Sequence, residues 1–129
     1  MNVKQIKFNK TEKIISENLD IRVEIQGLGP TIRVLRKSKI SVTTERIFIS
    51  QKALFGSNYI IQYIIWFKKN IENIHFKNGI TEISVSPKNI NKISLKGKII
   101  TELNFNDILI KYIRIFVEKD KLKISDNFF

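Results

Sequence analysis

Ile40–Ser50 reads Ile-Ser-Val-Thr-Thr-Glu-Arg-Ile-Phe-Ile-Ser, and this stretch decides the fold prediction. β-Branched and aromatic residues lie on both sides of the polar residues Thr43–Arg46. Such apolar residues favour extended strands, and a short polar break between two of these runs is typical of a tight turn. The stretch therefore predicts two antiparallel strands that meet at a corner. We interpret the corner as a turn between core strands and not as a site.

Two other segments repeat with a period of two. Leu19–Gln26 places an apolar residue at every second position, and Ile80–Ser86 alternates around Ile83 and Val85. A period of two indicates a strand with one buried face. These segments, together with the Ile40–Ser50 hairpin, predict a chain that is mainly β.

Residues 58–76 are open to two interpretations. Tyr and Trp in the run Tyr59–Phe67, and its β-branched residues, favour a strand over 59–68 followed by a short strand over Ile71–Phe76. Apolar residues spaced three and four apart, with a serine before them and Asn78-Gly79 after them, would also suit a long helix. We favour the two strands and keep a second helix at 58–76 as the alternative.

Near the C-terminus the period changes. Polar residues are spaced alternately four and three apart from Asp107 to Lys121, and apolar residues fill the opposite face. This spacing predicts an amphipathic helix over about 106–121. Its apolar face should pack on the sheet.

Composition limits the class of protein. The 129 residues are 43% hydrophobic, which suits a single folded domain over 1–129. The chain has no cysteine, and its longest apolar run is far shorter than the roughly 20 residues of a membrane-spanning helix. We expect a cytoplasmic protein. The net charge of +11 favours anionic partners, either nucleic acid or an acidic membrane surface.

Val42–Ile49 resembles the strand pair that surrounds a Thr-x-x-Arg corner in bacterial PH-like and GRAM-like domains. Ile65–Phe67, Ile71–Ile74 and Gly79–Val85 follow in a comparable order. The resemblance implies a mainly β (α+β) fold, with a strongly bent antiparallel sheet or partly open barrel of about seven strands. It also implies one C-terminal amphipathic helix over one end of the sheet. Residues 57–78 are longer and more apolar than the family pattern.

No motif predicts catalysis. His75 is the single histidine, and without cysteine it cannot complete an ordinary metal site. The carboxylates are scattered, and the chain contains neither a phosphate-binding glycine loop nor a Gly-x-Ser-x-Gly elbow. We expect no catalytic residue, no metal and no cofactor, and thus a protein that is not an enzyme.

The remaining candidates are basic and aromatic. A non-enzymatic interaction module would bind a protein or peptide partner, or an anionic membrane surface; the alternative is a small basic nucleic-acid-binding protein. The apolar run after the hairpin could also bury itself in a homo-oligomer. The candidate anion contacts are Arg33, Arg36, Lys37, Lys39, Lys68 and Lys69. The candidate partner or oligomer surface consists of Tyr59, Tyr63 and Trp66.

Overall fold

The fold was analysed in a computed structural model of the chain. It describes residues 6–27, 29–30, 32–53, 56, 58–86, 90–93, 99–102, 104–105 and 108–124.

Antiparallel strands dominate the described residues. In chain order the elements are β1 (Ile14–Gln26), β2 (Ile32–Thr43), β3 (Arg46–Lys52), β4 (Tyr59–Trp66), α1 (Phe67–Asn70), β5 (Ile71–Lys77), β6 (Ile80–Val85), β7 (Ile90–Ile93), β8 (Ile99–Glu102), β9 (Asn104–Phe105), β10 (Ile108–Leu109), β11 (Tyr112–Ile115) and α2 (Lys119–Leu122). Nine strands form an open sheet in the order β5-β6-β11-β1-β2-β3-β4-β7-β8, and β9 pairs with β10 separately.

The sheet bends where β1 pairs with β2. The register shifts between Asn18 and Ile21 and again before Val23, and two residues in this region, Asp20 and Lys37, have left-handed backbones with φ of 56° and 52°. Bulges of this kind bend a strand and increase its twist. Each of these long strands therefore belongs to two halves of the sheet, which we call half-sheets. The β3 half-sheet contains β3 and β4 and pairs with the end of β2. The β11 half-sheet contains β11 and β6 and pairs with the end of β1.

The main hydrophobic core lies between the two half-sheets. Ile40, Ile49 and Ile65 enter it from one half and Ile25 and Ile113 from the other, all fully buried. Burial of apolar surface is the dominant force that favours folding, so this shared core holds the two half-sheets together.

The short helix α2 covers one end of this core. Leu122 is fully buried, and its carbonyl oxygen accepts a hydrogen bond of 2.7 Å from the Ser16 hydroxyl of β1. The Asn18 side-chain amide donates to the carbonyl oxygen of Lys121 at 3.0 Å. Among the helices of the described residues, none has the length and apolarity to cross a membrane.

The fold class predicted from the sequence is confirmed: a mainly β, bent antiparallel sheet with a helix near the C-terminus. The extent of that helix is corrected. Tyr112–Ile115 is a strand, and among the described residues near the C-terminus helix covers only Lys119–Leu122. Over β11 a period of two also fits the sequence, because Ile113 and Ile115 are buried while Arg114 lies on the outer face. Backbone partners on β1 and β6 stabilise the extended form. Residues 106–107 of the predicted helix lie outside the described residues.

The interpretation of residues 58–76 as strands is confirmed, and the alternative of a long helix is wrong. β4 and β5 are joined by the four-residue helix α1. β4 is apolar on both faces because both are covered. Tyr63 and Ile65 face the main core, whereas Ile61 and Ile64 belong to a second cluster around Phe48.

The second cluster lies on the outer face of β3 and β4. Residues 6–13, which we call the N-terminal segment, contribute Ile6 and Phe8 to it. The Phe8 and Phe48 rings stack with their centroids 6.0 Å apart. The N-terminal segment thus provides part of the cover that β4 needs on its second face.

Candidate functional site

A cavity of about 540 Å³ opens where the N-terminal segment, the β2–β3 corner and α1 meet. Three parts of the chain that are distant in sequence supply its walls. The residues that line it are Asn9, Thr44, Glu45, Trp66, Phe67, Lys68 and Lys69.

Backbone and side-chain hydrogen bonds hold the corner against α1. The amide of Phe67 donates to the carbonyl oxygen of Glu45 at 3.0 Å, and the Trp66 amide donates to the Asn70 side-chain oxygen at 2.8 Å. At the corner itself, the amide of Glu45 donates to the Thr43 hydroxyl at 3.1 Å. A hydroxyl that accepts main-chain hydrogen bonds stabilises such turns. The walls of the cavity are therefore fixed by the fold.

The N-terminal segment is tied to the same corner by a buried ion pair. Glu12 accepts hydrogen bonds from Arg46 at 2.9 Å (Nε to Oε2) and 3.0 Å (Nη2 to Oε1), and the side chains are 0% and 7% exposed. The Thr43 hydroxyl donates to Glu12 Oε2 at 2.6 Å. The Asn9 side chain reaches the carboxylate of Glu45 at 2.9 Å. This pairing places Asn9 on the cavity wall.

The pKa of Glu12 is lowered from its ordinary value. Burial taken alone raises the pKa, because it disfavours the charged form. Hydrogen bonds from Arg46, Thr43 and the Asn9 backbone, with the positive charge of Arg46, outweigh that effect. Glu12 therefore remains ionised and keeps the pair with Arg46 intact.

Cations flank the indole of Trp66. The Arg46 guanidinium carbon lies 4.2 Å from the ring centroid, and the Lys69 ammonium lies 5.2 Å from it. Arg46 also lies 4.9 Å from the Phe48 ring. Cation–π contacts of this length stabilise the ring in one position. A nucleobase that stacked on this ring would have to compete with these cations.

Lys68 and Lys69 bring positive charge to the cavity. Both are exposed. Within the described part of the chain, neither ammonium forms a salt bridge with a carboxylate. Their charge is therefore available to an anionic ligand, with Trp66 beside it. The structure thus places two candidate anion contacts, Lys68 and Lys69, beside Trp66 of the candidate partner surface.

The other candidate anion contacts lie elsewhere. Arg36 and Lys37 are exposed at the β2 bulge, far along the strand from the β2–β3 corner. Lys39 forms a salt bridge of 2.8 Å with Glu17. Arg33 donates a hydrogen bond to the hydroxyl of Tyr63. The structure does not gather these basic residues with Lys68 and Lys69.

The candidate aromatic surface is also divided. Tyr63 is 1% exposed and belongs to the main core, so it lies inside the protein and not on a surface. Tyr59 and Trp66 are half-buried at opposite ends of β4, and Lys39 lies 5.5 Å from the Tyr59 ring. The sequence indicates that β4 is apolar on both faces, but it does not show that the N-terminal segment covers part of the second face.

The candidate sites predicted from the sequence omit four residues of the cavity, namely Asn9, Thr44, Glu45 and Phe67. The sequence predicts only a turn at the corner, yet two of its side chains line the cavity. No local sequence pattern predicts that these side chains line a cavity, because the wall forms only when the N-terminal segment and α1 reach the corner. The one available signal was the aromatic run followed by Lys68-Lys69.

A second cavity of about 560 Å³ lies near His75 and Arg114. Arg114 of this cavity already donates hydrogen bonds to Glu82 at 2.8 Å and to Gln26 at 2.6 Å, so its guanidinium is less available to a ligand. Exposed His75 contacts the Asn73 amide at 3.0 Å. No group of three residues able to ligate a metal occurs among the described residues. The cavity beside Trp66 is the better candidate.

Comparison of the chain with protein families, with curated proteins and with solved structures gave no match. The resemblance to PH-like and GRAM-like domains stays a prediction.

Proposed function

We propose that this protein is a non-enzymatic interaction module that binds a protein partner by taking an acidic side chain of that partner into the cavity beside Trp66. The observation that carries the proposal is that two lysines, Lys68 and Lys69, which form no salt bridge with any described residue, share one cavity with an aromatic wall. A carboxylate would accept charge-assisted hydrogen bonds from the ammonium groups.

The size and construction of the cavity support this function. Its volume of about 540 Å³ falls within the range typical of pockets that bind small ligands, so the cavity is large enough to take in a side chain of a partner. Hydrogen bonds from Phe67 to Glu45 and from Trp66 to Asn70 fix two of its walls. A preformed wall lowers the conformational-entropy cost of binding, because its side chains need not be ordered by the ligand.

The two cations beside the Trp66 ring favour a peptide partner over a nucleic-acid partner. Single-stranded nucleic acid gains much of its affinity by stacking bases on aromatic faces. Arg46 and Lys69 already contact the ring of Trp66. The exposed basic residues Arg36 and Lys37 lie on a different part of the sheet, so they do not extend this site into a groove.

Calorimetry tests the proposal with a defined probe. The probe is an acetylated and amidated peptide, Ser-Gly-Leu-Glu-Leu-Gly-Ser, with a second peptide in which glutamine replaces the glutamate. We expect the glutamate peptide to bind at physiological salt and the glutamine peptide to bind at least several-fold more weakly. The double variant Lys68→Gln/Lys69→Gln should lose this preference. The variant Lys121→Gln/Lys123→Gln removes the same charge elsewhere and should retain it.

Two results would overturn the proposal. The first is equal binding of the glutamate and glutamine peptides. The second is tighter binding, at physiological salt, of oligodeoxythymidine or of phosphatidylglycerol-containing vesicles than of the glutamate peptide. That result would make nucleic acid or an anionic membrane surface the partner.

A further inference from the structure

The cavity beside Trp66 carries a negative charge as well as two positive ones. Glu45 lines it together with Lys68 and Lys69. Oppositely charged side chains in one small cavity would ordinarily form a salt bridge with each other. Among the described residues, however, no salt bridge joins Glu45 to either lysine. The cavity is therefore bipolar, and both poles remain open to a ligand.

The fold keeps the poles apart by anchoring Glu45. Its amide donates to the Thr43 hydroxyl, and its carbonyl oxygen accepts from the amide of Phe67. Its carboxylate Oε2 accepts from the Asn9 side chain at 2.9 Å. Three contacts thus hold the residue at the corner, while the lysines extend from α1.

One oxygen of this carboxylate is available. Within the described chain, Oε2 is bonded to Asn9, whereas Oε1 accepts no hydrogen bond. A carboxylate oxygen can accept more than one hydrogen bond, and a charged donor gives the strongest. A ligand that places an ammonium, guanidinium or amide group beside Glu45 would fill this open position.

We infer that Glu45 is a specificity-determining residue, and that the cavity selects a mixed-charge segment in which a basic side chain lies close to the acidic one. The inference rests on the proposed function, because it concerns the same cavity. Lys68 and Lys69 attract the acid, and Glu45 attracts the neighbouring base. Glu45 also repels a second carboxylate or phosphate, so uniformly acidic chains are disfavoured.

This arrangement limits the effect of the overall charge. A net charge of +11 attracts any polyanion at long range. The short-range repulsion from Glu45 would act against polyanions at the cavity and leave mixed-charge segments favoured. Specificity of this kind depends on an unfavourable contact with the wrong ligand as much as on a favourable contact with the right one.

Peptide pairs test the inference by calorimetry at physiological salt. The reference probe is Ser-Gly-Leu-Glu-Leu-Gly-Ser. One set of probes replaces a single residue, one to three positions after the glutamate, with lysine, and a matched set replaces the same residue with a second glutamate. We expect the best lysine peptide to bind about three- to fivefold more tightly than its glutamate counterpart, as for a partly exposed ion pair.

The variant Glu45→Gln should abolish or reverse that preference, because it keeps the acceptor for Asn9 and removes the charge. Glu118→Gln, the same change at an exposed residue outside this cavity, should leave the preference unchanged. If the reference probe binds but the doubly acidic peptides bind as well as the mixed ones at every spacing, the inference is wrong and the proposed function stands. If the reference and mixed probes all fail to bind, the proposed function itself fails.

Discussion

Glu12 and Arg46 form a two-point ion pair, with Nε–Oε2 and Nη2–Oε1 distances of 2.9 Å and 3.0 Å, in which the carboxylate is fully buried. Arg46 contacts Trp66 on the same side of the sheet. One pair therefore attaches the N-terminal segment, stabilises the β2–β3 corner and supports the ring that lines the cavity.

Replacing one partner should be costly. Glu12→Gln leaves Arg46 buried without a counter-charge, and removal of one member of a buried pair costs about 3–5 kcal/mol of unfolding free energy. We expect a loss of about 3 kcal/mol, since glutamine retains one acceptor for Arg46. Urea denaturation followed by the fluorescence of Trp66, the single tryptophan, measures this loss.

A surface pair provides the control. Glu17→Gln removes the partner of Lys39, and these side chains are 39% and 23% exposed. Exposed pairs contribute about 0–1 kcal/mol, so the urea midpoint should change little. Equal losses from Glu12→Gln and Glu17→Gln would contradict the structural role that we assign to the buried pair.

The lowered pKa of Glu12 makes stability depend on pH. A carboxyl with a lower pKa in the folded state binds a proton more readily in the unfolded state, so ionisation stabilises the fold. This contribution is fully present above the unfolded pKa, for which the ordinary value is 4.5, and is lost as pH falls through the lower folded pKa. Urea midpoints measured from neutral pH to about pH 3 should fall more steeply in the wild type than in Glu12→Gln. Parallel curves would mean that other carboxylates account for the acid sensitivity.

The hairpin and the strand character of the chain could be predicted because they depend on local sequence. Val42 pairs with Ile47 across the corner in the expected way, and β-branched residues supply both strands. The predicted helix over 106–121 failed for a physical reason. Tyr112–Ile115 fits both periods, and the choice between them depends on β1 and β6, which pair with it from distant positions in sequence.

The cavity was predictable only in part. Trp66, Lys68 and Lys69 are neighbours in sequence, so their proximity follows from any local structure. Asn9 and Glu45 are separated by 36 positions, and only the folded N-terminal segment brings them together. The same limit applies to the bend of the sheet. The left-handed backbone at Asp20 interrupts an alternating pattern that otherwise predicts a straight strand.

Buried serines give a second stability test. Ser41 and Ser50 are fully buried, and their hydroxyls lack a hydrogen-bond partner among the described residues. A buried hydroxyl without a partner destabilises the fold, so Ser41→Ala should raise the unfolding free energy by about 0.5–1 kcal/mol. Ser16→Ala is the matched control, because its hydroxyl bonds to the Leu122 carbonyl at 2.7 Å, and it should lower the unfolding free energy by about 1 kcal/mol. Thermal unfolding resolves the two signs, and destabilisation by both variants would place a partner beside Ser41.

The fluorescence of Trp66 should show whether the N-terminal segment lies on the outer face of β3 and β4. Phe8 packs on Phe48 and lies 5.7 Å from the Arg46 guanidinium, which in turn contacts the indole. Phe8→Ala removes half-buried aromatic surface from this cluster, so we expect a loss of about 1–2 kcal/mol in unfolding free energy. Because Arg46 and the indole become more hydrated, the emission of Trp66 should shift to longer wavelength and its quenching by acrylamide should increase. Lys10→Ala, a change at an exposed residue of the same segment, should leave the emission and the quenching unchanged. Unaltered fluorescence in Phe8→Ala would mean that the segment does not lie on the outer face of β3 and β4.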